Sequence, residues 1–97
     1  MSESENLSKL THLNSPGFQM TFKNGMTISV VWHTSAYCSR KSDKYFGDDI
    51  GPASSPDCEI AVWDKNGNFY PLGEEDSVIG YASPDKAAEV INFVKNL

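Results

Sequence analysis

Lys-Asn-Gly occurs twice in this chain, at 23–25 and at 65–67, each time between stretches in which apolar and polar residues alternate. Phe18, Met20 and Phe22 stand ahead of the first copy, and Met26, Ile28, Val30 and Trp32 follow it. A period of two is that of a strand, not a helix. The turn then constrains how the strands pair. A two-residue Asn-Gly loop would set Phe22 against Thr27 and leave the two apolar rows on opposite faces. A three-residue loop, with Gly25 left-handed in a bulge, sets Phe22 against Met26, Met20 against Ile28 and Phe18 against Val30. Only this register buries both rows together, because a slip of one residue turns every side chain over. At the second copy the same logic pairs Val62 with Tyr70 and Ile60 with Leu72.

Two further elements follow from local chemistry. Val78 to Ala82 reads as a short strand at an edge of the sheet. Ser83-Pro84-Asp85 is a helix start, with a serine N-cap, proline at the first helical position and an acid in the first turn. Ala87, Val90, Ile91 and Val94 then fall on one helical face, which predicts a helix over 84–96. The expected fold is α+β: a mainly antiparallel sheet of about five strands with one C-terminal helix packed on a face. Residues 17–97 form that single domain. Residues 1–16 read as a flexible N-terminal segment. Leu7, Leu10 and Leu13 recur every three residues there and suggest a short helical turn over 6–13, ended by Ser15-Pro16-Gly17.

Charge bounds the partners. Thirteen acidic against eight basic side chains give a net charge of −5. Residues 1–41 carry four basic and two acidic groups, residues 42–97 four basic and eleven acidic. Such a balance disfavours binding to duplex nucleic acid through its phosphates and permits a protein partner. No apolar run reaches the ~20 residues needed to span a membrane, and no basic-then-apolar leader opens the chain. Two cysteines, Cys38 and Cys58, are too few for a disulfide scaffold. A cytoplasmic protein with reduced thiols is the expectation.

Candidate chemistry concentrates between the strands. The loop over 34–56 is long for so small a domain, and loops of this length are usually functional or disordered. His33, Cys38 and Cys58 lack the close cysteine pair and fourth ligand of structural zinc, so no metal or cofactor is expected. A Cys38 nucleophile with His33 as base would make a hydrolase, but no orienting third group is recognisable. Asp48-Asp49 and Glu74-Glu75-Asp76 read as solvated acidic turns, without the spacing of a calcium loop. Tyr37, Arg40, Tyr45, Trp63 and His33 are the candidate binding set. Aromatic faces with a guanidinium can stack on a base or anchor a protein interface. Trp32 shares the inward row of Val30, whereas Trp63 lies opposite Val62 and should face away from the helix.

The pattern Phe22-Lys-Asn-Gly25, Ile28-Ser-Val-Val-Trp32, Tyr37-Cys38-Ser39, Glu59-Ile-Ala-Val-Trp-Asp64, Gly67 and Gly80-Tyr81-x-Ser83-Pro84-Asp85 resembles small accessory proteins of tailed bacteriophages. It spans about residues 18–96. The resemblance implies no catalytic residue. It implies a binding protein in the infected bacterial cell that inhibits or redirects a host factor, such as a defence system. The alternative is a protein that sequesters a small nucleotide signal. A chain this short would need a homo-oligomer to enclose such a ligand.

Overall fold

A computed structural model describes residues 8–41, 54–72 and 77–97. Among these residues five strands, β1 (Lys9–His12), β2 (Gly17–Thr21), β3 (Thr27–Val31), β4 (Cys58–Trp63) and β5 (Val78–Ala82), precede one helix, α1 (Pro84–Lys95). The strands form a single antiparallel sheet in the order β1-β2-β3-β4-β5. α1 packs on one face, against β3, β4 and β5.

The first hairpin has the bulged register. Phe18 faces Val30 and Met20 faces Ile28. Phe22 donates to the Met26 carbonyl at 2.9 Å and Gly25 to the Phe22 carbonyl at 2.9 Å. Gly25 and Gly67 both have φ near +85°, at 86° and 84°, the left-handed geometry that each three-residue turn requires. The Asn24 side chain ties this turn to the far end of α1, donating to the Val94 carbonyl at 2.9 Å while accepting from Met26 N.

The core is the seam between β3 and β4 under the helix. Ile28 faces Val62 and Val30 faces Ile60, and Val90 and Val94 cover them. Each such buried aliphatic side chain contributes about 1.5–3 kcal/mol. Ser83 caps α1, accepting from Lys86 N at 3.0 Å, which is worth about 1 kcal/mol. Trp32 packs against this core and meets Phe18 edge-on at 6.3 Å. Trp63 lies on the other face, in the row of Thr27 and Thr21.

Two expectations are corrected. The leucine spacing of the N-terminal segment does not make a helical turn. Lys9–His12 is a strand that pairs along β2, so the sheet begins well before residue 17. Ser15-Pro16-Gly17 reverses the chain between these strands, and the Pro16 carbonyl accepts from Trp32 N at 3.1 Å. The second hairpin keeps its register only briefly: Trp63 bridges Phe69 and Tyr70 N donates to the Val62 carbonyl at 2.8 Å. Pro71 follows. Beyond it the edge of β4 belongs to β5: Ile60 pairs with Ile79 instead of Leu72, and Ala61 with Val78. The five strands therefore include β1 in place of one at 70–72.

Candidate partner-binding surface

The chain leaving β3 does not wander. Ala36 N donates to the His33 carbonyl at 3.0 Å, Cys38 N to the Ala36 carbonyl at 2.9 Å and Lys41 N to the Cys38 carbonyl at 2.9 Å. Ala36 is fully buried and Cys38 is 1 % exposed, so two small side chains seat the loop. Ser39 donates from both its N–H and its hydroxyl to the Asp57 carboxylate, each at 2.6 Å. Arg40 Nη1 donates to the Trp32 carbonyl at 3.0 Å. The guanidinium named as a ligand-binding group thus helps to close the loop on its own stem.

Tyr37 sits at the crest. Its N–H donates to Glu59 Oε1 at 3.2 Å, and its carbonyl accepts from Tyr81 N at 2.8 Å. That last bond needs an irregularity. Cys58 faces Ala82 and Ile60 faces Ile79, so Gly80 and Tyr81 together oppose Glu59 alone. This is a β-bulge, which re-aims backbone and side chains. Tyr81 has φ 54°, a left-handed backbone that L residues adopt at a cost and that clusters at functional sites. Gly80 leaves room for the crest, since a Cβ there would stand 3.0 Å from Tyr37 Cβ. Both rings project outward: Tyr37 is 52 % exposed and Tyr81 57 %. The Lys41 ammonium lies 4.8 Å from the Tyr37 ring centre.

The predicted set is divided. His33 shares an open depression with Glu59, Gln19, Ser29 and Ala61 on the sheet face away from α1, close to the Tyr37 crest. Trp63 lies four residues from Glu59 along β4, about 13 Å away, edge-on to Phe69 at 6.0 Å. Tyr45 falls outside the described residues, as do Asp48-Asp49 and Glu74-Glu75-Asp76. In the sequence, Gly80, Tyr81 and Glu59 stand out only as part of the resemblance pattern, with no site role, and Asp57 does not stand out. A glycine inside an edge strand was the available signal, because it often marks a bulge or a close backbone approach.

The thiol chemistry is quiet. Cys38 Sγ donates to the His33 main-chain carbonyl at 3.5 Å, while the His33 ring accepts from Ser35 N. The thiol thus bonds the main chain of His33 and not its imidazole. Cys38 and Cys58 are both free and buried. Burial, followed by the charges of Asp57 and Cys38, pushes the Cys58 thiol up from its ordinary value, so it is a poor nucleophile. Among the described residues no group of three metal-ligating side chains gathers, and no helix is long and apolar enough to cross a membrane.

Asp57 holds the loop base and responds to acid. The Ser39 hydroxyl, then the Ser39 N–H, lower its carboxyl below 3.8. A lowered folded value means stabilisation that is present above the unfolded value and lost as pH falls through the folded one. Urea midpoints should therefore drop as pH is taken from about 5 to about 2, and drop less in Asp57→Asn. The slope left in the variant includes Asp64, whose carboxyl is lowered first by Asn68 N–H. Superimposable profiles for the two proteins would refute the tie.

No protein-family model matches the chain, and neither a curated protein nor a solved structure does.

Proposed function

We propose that this protein acts by binding, holding a partner protein on the surface around Tyr37 and Tyr81 and catalysing no reaction. The observation that carries this reading is the contrast between backbone and ring. The main chain at Tyr37 is fixed by Glu59 and Tyr81, and its neighbours Ala36 and Cys38 are buried, while both tyrosine rings stand in solvent. Rigid aromatic anchors bind with little entropy left to lose, which is what interface hot spots require. Folding does not need these rings outside. The phage accessory role implied by the sequence resemblance supplies a setting: a host protein inhibited or redirected in the infected cell.

The test is capture from bacterial host lysate by the tagged protein beside a Tyr37→Ala/Tyr81→Ala variant. The native chain should retain a stoichiometric partner, and the variant, still folded, should lose it. Equal recovery by both removes the tyrosines from the site. A second reading has one observation in its favour. Tyr37, Ser77, Val78, Gly80 and Tyr81 bound an open depression of about 360 Å³, near the lower limit for small-molecule sites. Two tyrosines at its border would offer stacking faces to a planar ring such as a nucleobase. Thermal-shift screening with cyclic and linear nucleotides separates the two, since a ligand at a hundred times its Kd stabilises by about 2.7 kcal/mol.

A further inference from the structure

β1 is an outer strand of the sheet. Phe22 N donates to Met26 and Trp32 N to Pro16, so the even-numbered residues of β2 turn their backbone groups to β3. Gln19 and Thr21 then turn theirs to β1, where they face Thr11 and Lys9. Leu10 and His12 consequently aim their N–H and C=O groups away from the sheet, and no described strand meets them.

The side chains beside this edge are equally unfinished. Leu10 faces Met20 across the ladder on the side where the core lies, yet it is 77 % exposed. α1 packs on β3, β4 and β5 and does not extend over β1. Phe18, Met20 and Phe22 are only partly buried against the core.

Charge selects the occupant. Lys9 pairs with Thr21, next to the turn that carries Lys23. Thr27 pairs with Trp63, next to the turn that carries Lys65. Asn24 in the first of these turns also reaches the Lys95 carbonyl at 3.4 Å. Four lysines thus gather at one end of a sheet in a chain of net charge −5. Asp64, in the same depression as Lys9 and Lys65, accepts from Asn66 N and Asn68 N at Oδ1. It keeps its charge, so the four ammonium groups outnumber it and leave that end net positive.

We propose that β1 is an acceptor edge for an acidic, extended segment of another protein, which adds to the sheet as a sixth strand. Main-chain hydrogen bonds to Leu10 and His12 would supply affinity, as in other strand-addition complexes. The alternation of β1 sets the pattern of the guest: apolar side chains beside Leu10, carboxylates on the opposite face beside Lys9. A second copy is the poorer guest. Pairing two β1 strands about Leu10 sets both Lys9 ammonium groups on one face, diagonal across the ladder, where like charges repel.

The surface is distinct from the tyrosine crest, so the test separates them. The full chain is titrated calorimetrically with an end-blocked eight-residue peptide alternating glutamate and valine. Binding is expected with a Kd near or below about 100 µM, weakening with added salt. A lysine–valine peptide should bind at least tenfold more weakly, as should the glutamate peptide to Lys9→Glu/Lys23→Glu. N-methylation of one alternate set of peptide nitrogens should abolish binding, and methylation of the other set should not, because only one set meets the edge. Tyr37→Ala/Tyr81→Ala should bind the peptide unchanged. Equal binding of the lysine peptide, indifference to both methylations, or no binding at about 1 mM overturns the proposal. So does a dimer in sedimentation that Leu10→Glu dissolves, which would make the occupant a second copy.

Discussion

Gly17→Ala should be among the most damaging single-methyl changes in this protein, costing about 3–5 kcal/mol. Two effects act together. Gly17 has φ 148°, where a Cβ is strained whatever space surrounds it. There is also no space: that Cβ would stand 2.7 Å from Val31 Cγ1, 2.8 Å from the Val30 carbonyl oxygen and 3.0 Å from Val31 Cα. Two of those three atoms are backbone of β3, which is held on its other side by β4. The strand cannot step aside without disturbing the Ile28 and Val30 seam. At about 4–8 °C per kcal/mol for a domain of this size, the melting temperature should fall by tens of degrees. Gly67→Ala is the control. Its φ is also positive, at 84°, but nothing lies within 4 Å of the added methyl, so it should lose only about 1 kcal/mol. Equal losses at the two glycines would mean that crowding at Gly17 relaxes and that backbone strain alone decides.

Gly80→Val should do something different: detach the crest while leaving the sheet assembled. The first carbon of the new side chain already meets Tyr37 Cβ at 3.0 Å and the Tyr37 carbonyl oxygen at 3.4 Å, and the branches of valine need more room still. The bond from Tyr81 N to Tyr37 O should break, at a cost of about 2–3 kcal/mol including the overpacking. The tyrosine surface should lose its fixed geometry, so binding of a captured partner should weaken by a hundredfold or more. Peptide addition at β1 should be untouched. The crest can be watched through amide exchange: Tyr81 and Tyr37 N–H should lose protection in Gly80→Val while Ile28 and Ile60 keep theirs. Retained protection at Tyr81 would show that the loop adapts to the larger side chain.

Sequence legibility differed sharply between strands and loop. The first hairpin could be read to the residue because three constraints agreed: alternation on both strands, a glycine at the one position needing positive φ, and burial of Phe18, Met20, Ile28 and Val30 on a common face. The helix was readable for the same reason, since Ser83, Pro84 and the 87-90-91-94 stripe all point one way. Trp32 and Trp63 fell on the expected faces because strand parity decides that. β1 was missed because Leu7, Leu10 and Leu13 imitate helical spacing, while what makes Lys9–His12 a strand is the edge that β2 offers. The fourth expected strand failed because β5 takes the edge of β4 at Ile60 and Ala61, a tertiary pairing that the local pattern at 70–72 does not encode.

The candidate surface was legible only as a region. Tyr37 stood out by its type, and Arg40 did too, but their partners are remote. Asp57 grips Ser39 across eighteen positions, and Tyr81 reaches Tyr37 across forty-four. Ala36 and Cys38 anchor the loop by being small, which no composition argument distinguishes from ordinary loop residues. The bulge at Gly80 and Tyr81 depends on a register shift against Glu59, and register at an edge strand is set by tertiary pairing.

The order of strands across the sheet is their order along the chain, and this bears on how the molecule assembles. β1, β2 and β3 can zip from one short turn to the next, and β4, β5 and α1 form a second run. Between them lies the stretch from Trp32 to Asp57, the longest interval that any neighbouring pair must close. Contacts across such an interval are gained late, after loop entropy has been spent. Yet Ile28, Val30, Ile60 and Val62, the buried seam, belong half to each run. The second run also holds Cys58, Ala82, Ala87, Val90 and Val94 of the core, whereas the first run covers its own apolar row only by docking β3 on β4. That docking is the step that completes the core and couples the two runs into one cooperative unit.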